Sequence, residues 1–225
     1  MSFFKRVKTI ILSLPKYFWV LAVLTAASQF ATYYLPRVLH AQTLTVLSSK
    51  IDDRIPFVPG FVYIYIGAFL YWVFMYGYVY AMNKPIAMRL FTADALCKLV
   101  CAVCFCVYPC TMAQPGTDEI RGFGAWLLRI VYAADEPTQL LPSMHCYISV
   151  LLALPLFSKR ASRSPWGFKL FAAVFSLLIC LSTLFVKQHV LVDVYTGVAL
   201  AIASWLISLI IWKLIDACAA RKAVV

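Results

Sequence analysis

Pro142-Ser143-Met144-His145, followed by Cys146-Tyr147-Ile148-Ser149-Val150-Leu151-Leu152-Ala153-Leu154-Pro155-Leu156-Phe157, is the stretch on which the fold turns. Its apolar part, Cys146 to Phe157, is short for a membrane span, which needs about 20 apolar residues. Taken together with Pro142 to His145, the run is long enough to cross, provided those residues form the first turn of a helix recessed into the bilayer. If it crosses, His145 and His189 face the same side, at the two ends of one helical hairpin. If it does not, the two histidines lie on opposite faces and cannot share a site.

The rest of the chain supports a membrane reading. Of its 225 residues 64% are hydrophobic and only 13% charged, with a mean hydropathy of +0.86, too apolar for a water-soluble domain. The composition fits a single all-α integral membrane domain over residues 1–225. The formal charge of +11 sits in short clusters between apolar runs rather than along one polar face, so it points to bilayer orientation and anionic lipid and not to nucleic acid. Most of the eight cysteines lie inside apolar segments and read as small buried hydrophobes. Cys101 and Cys104 have the spacing of a metal pair but lack the second pair or the histidines that would complete a tetrahedral site.

Apolar runs predict six transmembrane helices, at about 17–35, 61–82, 94–110, 142–157, 168–186 and 190–211. Lys5, Arg6 and Lys8 before the first run resemble the start of a signal peptide, but the run continues past its small residues to Leu35, which fits a retained span. The mixed stretch Pro36 to Pro59 is expected to form an interfacial helix, with His40 solvated there. Asp94 and Lys98, one turn apart, are expected to pair at the cytoplasmic edge of the third span. The long segment Thr111 to Leu141 carries apolar residues at helical spacing between Arg121 and Tyr132, a helical loop on the membrane surface. With both termini cytoplasmic, thirteen basic residues fall inside and six outside, Lys98 set aside, and this asymmetry orients the bundle. The histidines then face outward, from a plasma or bacterial inner membrane.

His189 and Asp193 stand at i and i+4, so the carboxylate is placed to accept from one imidazole nitrogen and to fix the tautomer of the other. Such a histidine is a candidate nucleophile. Pro142 suits an early helix position, and Ser143 with the free amides after it forms a cradle where a helix N-terminus attracts an anion. His145, on the same turn, is placed to protonate a leaving oxygen and then activate water. A purely structural role for each of these residues, as cap or helix pair, is the alternative.

These two stretches resemble motifs of the type 2 phosphatidic acid phosphatase superfamily of membrane lipid phosphatases and phosphotransferases. Pro142-Ser143-Met144-His145 is similar to Pro-Ser-Gly-His, with Met144 in place of glycine. Ser182-Thr183 through His189 and Asp193 is similar to Ser-Arg, five residues, His, three residues, Asp, with Thr183 in place of arginine. The resemblance implies a six-span bundle in which His189 takes the phosphoryl group, Asp193 supports it, His145 is general acid and base, and Ser143 and Met144 sit at the phosphate. It implies neither metal nor other cofactor. A third motif, Lys, six residues, Arg-Pro, has only an echo at Gln114-Pro115, and Val107 stands where its lysine would be. Lys187, Arg121 and Arg129 are the candidates to replace the missing cations, with Gln114 at the position of the lost arginine.

The resulting expectation is a metal-independent enzyme that hydrolyses a lipid phosphate or polyprenyl diphosphate at the outer leaflet through a phosphohistidine. Transfer of a phosphorylated headgroup to an alcohol is the runner-up, similar to the inositol phosphorylceramide and sphingomyelin synthases. Two other classes stay open: His145, His189 and Asp193 as two histidines and a carboxylate around a metal, and a non-catalytic lipid-binding protein.

Overall fold

The structure, a computed structural model, describes residues 13–39, 44–159 and 164–222. Lys5, Arg6 and Lys8, as well as His40, Arg160 and Arg163, lie outside the described residues. Seven α-helices account for most of the rest: α1 (Lys16–Leu39), α2 (Val62–Met82), α3 (Lys84–Val107), α4 (Phe123–Ala134), α5 (Met144–Ala153), α6 (Trp166–Phe185) and α7 (Leu191–Lys222). Five of them, α1, α2, α3, α6 and α7, are long and apolar enough to cross a membrane. The sixth expected span is α5 with a 3-10 turn over Leu154–Phe157, and together these rise only about 23 Å. That is short of the ~30 Å hydrocarbon core.

Its position explains how so short an apolar helix is tolerated. Nearly every residue of α5 is buried, because α2, α3, α6 and α7 surround it. It meets protein on all sides, and its ends need not reach the membrane surface. The interior contact with α7 is close: a Cβ added at Gly197 would lie 2.6 Å from the Ser143 carbonyl oxygen and 3.1 Å from Cys146 Cβ. Only glycine lets α7 approach the start of α5 this nearly.

Three expectations are corrected by the fold. The helix expected to start near Asp94 starts ten residues earlier. Asn83 caps it by accepting from the Ile86 amide at 3.0 Å, and Pro85 sits in its first turn. The polar residues of that added stretch find partners in the bundle instead of ending it: Trp212 donates to Thr92 at 3.0 Å, and Arg89 lies 3.9 Å from Asp216. The Asp94–Lys98 pair forms at 2.7 Å, but in mid-helix and buried rather than at a membrane edge.

Pro36 to Pro59 forms no interfacial helix among the described residues. Instead α1 runs through Pro36 to Leu39, and the chain then makes a two-residue strand, β1 (Thr45–Val46), parallel to β2 (Cys110–Thr111), in the register Thr45 to Cys110 and Val46 to Thr111. A 3-10 turn at Asp52–Arg54 follows, and the Asp52 carboxylate accepts from the Leu191 amide at 2.7 Å, capping α7. The pairing partner for β1 lies over 60 residues away, so local periodicity had no means of showing it. The surface helix of the long loop forms as α4, packing Leu128 and Val131 against Val62, Tyr65 and Val186.

Candidate active site

The turn between α6 and α7 carries His189 to the site. After Phe185 the chain reverses through Lys187, whose φ of 52° lies in the left-handed region, and the Thr183 carbonyl then accepts from both the Gln188 and His189 amides, at 3.0 and 3.2 Å. Lys187 tolerates this conformation because its ammonium is anchored, donating to the carbonyls of Asp52 at 2.9 Å and Ile55 at 2.7 Å. Asp193, fully buried in the first turn of α7, accepts from His189 Nδ1 at 3.2 Å and from the Val190 amide at 3.1 Å, both on Oδ2. With Nδ1 committed to the carboxylate, the lone pair of His189 lies on Nε2. Burial works against the cationic form of His189, but the hydrogen bond and charge of Asp193 outweigh it and hold the imidazole above its ordinary pKa of about 6.5.

His145 faces His189 across 6.0 Å between ring centroids. The two histidines therefore share one end of the bundle. The His145 ring stacks on Tyr65 at 4.3 Å and meets Trp72 at 4.9 Å and Phe69 at 5.6 Å. Its backbone is fixed by Ser149, which donates to the His145 carbonyl at 2.7 Å and accepts from Trp72 Nε1 at 2.9 Å. His145 Nε2 is buried and has no partner among the described residues.

Both histidines and Met144 line one end of a cavity of ≈ 710 Å³ between α1 and α2. Along α1 the cavity reaches from Arg37 back to Phe18, about 28 Å of helix. Its walls are mostly apolar, with Phe30, Tyr34, Phe69 and Trp72 among them, and the segment Ala134 to Leu140 lines the histidine end.

Several residues expected at the phosphate lie elsewhere. Ser143 is fully buried and serves as the cap of α5: its Oγ accepts from the Cys146 amide at 3.3 Å, and its own amide donates to the Asp193 carbonyl at 3.1 Å. Pro142 accordingly precedes the cap and is not a helical residue. Lys187 is held by the two loop carbonyls, and Arg129 donates to the carbonyls of Thr117 and Ile120 at 2.8 and 3.0 Å. Arg121 is exposed. None of these side chains, nor Gln114, whose Nε2 is buried without a partner, is on the cavity wall.

The structure brings up other residues in their place. Arg37 is the one lysine or arginine among the described residues that lines the cavity. Its guanidinium lies 4.2 Å over the Tyr33 ring and donates to the Glu136 carbonyl at 2.9 Å and to Asp135 at 3.5 Å. Asp135 also accepts from the hydroxyls of Tyr33 and Tyr65. Gln139 lines the same wall with both amide atoms buried and, among the described residues, unpartnered. No spacing in the sequence singles these residues out, since they converge from α1, α2 and the loop after α4.

The sequence pattern of the PAP2 superfamily matches residues 88–216, more than half of the chain. The chain belongs to this superfamily, the type 2 phosphatidic acid phosphatases. No curated protein and no solved structure is significantly similar to it. The matched region holds His145, His189 and Asp193, whereas Arg37 and all of α1 lie outside it. Among the described residues, no three histidine, cysteine or acidic side chains are grouped so as to hold a metal ion.

Proposed function

We propose that the protein is a membrane enzyme that breaks a phosphate ester of a lipid through a phosphohistidine on His189. The observation that carries this reading is the pairing of His189 Nδ1 with Asp193 at 3.2 Å, opposite His145 and at one end of an apolar cavity. In the first step His189 Nε2 attacks phosphorus, the bond from phosphorus to the leaving oxygen breaks, and His145 gives that oxygen a proton. In the second, His145 takes a proton from water, the water oxygen bonds to phosphorus, and the phosphorus to nitrogen bond breaks, releasing phosphate. Asp193 holds the tautomer and offsets the charge on His189 in both steps. The apolar cavity, close in length to the hydrocarbon core of a bilayer, suits the tail of a lipid phosphate or polyprenyl diphosphate. By the distribution of basic residues the site opens to the outer face of a plasma or bacterial inner membrane.

One observation favours headgroup transfer as a second reading. The charged side chains on the cavity wall are Arg37, Asp135 and Glu136, which leaves no surplus of positive charge for a doubly charged phosphomonoester. A singly charged phosphodiester, with an alcohol taking the place of water, is the better match to such a wall.

The experiment is release of phosphate or headgroup by the purified protein in detergent, with EDTA present, from lipid phosphates, diphosphates and phosphodiesters. Activity that survives EDTA and is absent in His189→Ala supports the histidine mechanism. Activity unchanged in His189→Ala refutes it, and loss of wild-type activity on chelation favours a metal at the two histidines.

A further inference from the structure

A phosphoryl group in transfer concentrates negative charge, and catalysis of this reaction rests largely on donors that meet it. The cations expected to do so here are occupied or remote: Lys187 and Arg129 are bonded to backbone carbonyls and Arg121 is exposed. The cavity wall nevertheless carries a cation, Arg37, which comes from the helix outside the superfamily match.

Arg37 is only partly satisfied. A guanidinium has five N–H donors, and Nε is buried without a partner among the described residues while the contact to Asp135, at 3.5 Å, is at the limit of a hydrogen bond. Two residues beyond Asp135, the loop turns Pro137 and then Gln139 to the same wall, where both amide atoms of Gln139 are buried and unpaired. His145 Nε2, also unpaired, completes the set. Buried polar atoms without partners are rare in folded proteins. Three residues bearing them on one cavity wall mark a place for a polar ligand.

We propose that Arg37 and Gln139 bind the phosphate of the lipid substrate, in place of the basic residues whose positions Thr183, Gln114 and Val107 occupy. Arg37 supplies a planar fork matched to two phosphate oxygens, and Gln139 supplies a neutral donor that holds a third oxygen without adding charge. Stacking on Tyr33 and the bond to the Glu136 carbonyl hold the guanidinium at the wall before substrate arrives. Asp135 opposes the phosphate and competes for the same guanidinium.

This rests on the phosphoryl-transfer reading, and the test separates the two. In detergent, the KM for a lipid phosphate and the binding of inorganic phosphate by calorimetry are measured for wild type, Arg37→Gln, Arg37→Lys, Gln139→Ala, Asp135→Asn and His189→Ala. Arg37→Gln is expected to weaken both by on the order of a hundredfold, and Arg37→Lys, which keeps the charge without the fork, by about tenfold. Gln139→Ala weakens both by about tenfold, and Asp135→Asn strengthens both by removing the competing carboxylate. His189→Ala loses turnover but keeps phosphate binding.

Unchanged KM and phosphate binding in Arg37→Gln overturn the proposal and leave the histidine mechanism standing. If Arg37→Gln does not fold, Arg37→Lys decides: wild-type KM there means that Arg37 merely anchors the loop. Asp135→Asn weakening both measures as much as Arg37→Gln would also show an anchoring role. Turnover in His189→Ala refutes the mechanism without touching Arg37, and a wild-type protein that neither turns over lipid phosphates nor binds inorganic phosphate overturns both.

Discussion

Two buried clusters of charge lie in this bundle, and they differ in how completely they are satisfied. At the first, the Lys98 ammonium donates to Asp94 at 2.7 Å, to the Thr25 carbonyl at 2.9 Å and to Ser28 at 3.0 Å, while Tyr76 donates to the other Asp94 oxygen at 2.8 Å. Three donors meet three acceptors, and the ring of contacts ties α1, α2 and α3 together. At the second, around His145 and His189, one oxygen of Asp193, Nε2 of His145, Nε of Arg37 and both amide atoms of Gln139 have no partner among the described residues. The first cluster is closed and serves the fold. The second is open, and under the proposed function its vacant donors are what the phosphate of a substrate would meet.

Substitutions in the open cluster test that contrast most severely. His189→Ala is expected to bring lipid phosphate or headgroup release to background, since the proposed bond to phosphorus forms on its Nε2. Asp193→Asn should lower kcat by up to about 10⁴-fold, the scale seen when a carboxylate that orients a histidine is replaced by its amide. The same variant carries a pH signature. His189 attacks as the neutral imidazole, and Asp193 holds its pKa above the ordinary value, so wild-type activity falls as pH drops through that raised value. With the carboxylate gone, the hydrogen bond and charge that outweighed burial are lost, the imidazole pKa falls, and the acid limb of the pH–rate profile moves to lower pH. An acid limb that stays in place would remove His189 as its origin.

The closed cluster should respond in stability instead. Lys98→Met leaves Asp94 buried and unpaired, which costs about 3–5 kcal/mol and is read as a fall in thermal midpoint. The double variant Asp94→Leu, Lys98→Met should recover most of that loss. KM in either folded variant is expected to stay at the wild-type value, and a large change in KM would place this cluster in the substrate path.

Gly197→Ala joins the two responses. Its new methyl meets the Ser143 carbonyl on backbone that cannot yield, so it should cost about 1–3 kcal/mol and lower kcat by moving His145 away from His189. Lys187→Ala is the smallest: its two bonds to loop carbonyls contribute about 1 kcal/mol each, and KM for a lipid phosphate should not change. A marked rise in KM there would return Lys187 to the phosphate and weaken the case for Arg37.

Much of this was legible in the chain itself. Hydropathy placed α1, α2 and α6 to within a few residues at each end, because a bilayer demands length and apolarity that local composition records directly, but it missed the first ten residues of α3 and the last eleven of α7. The i, i+4 spacing of His189 and Asp193 specified their bond, since only one turn of backbone separates them. The start of α3 was misplaced because a charge at Asp94 reads as an edge until its partners on α1 and α2 are known. The same limit applies to the phosphate site. Lys187 and Arg129 look free in sequence and are taken by carbonyls in the fold, whereas Arg37, more than 100 residues from either histidine, is brought to the cavity only by the packing of α1 beside α2. Sequence by itself determined the class of the protein, the five long apolar helices and the pairing of His189 with Asp193, all set by composition or by contacts within a turn or two. The tertiary structure alone decided which cation shares a cavity with the histidines, because that choice depends on which donors remain unmet after every distant helix and loop has taken its partners.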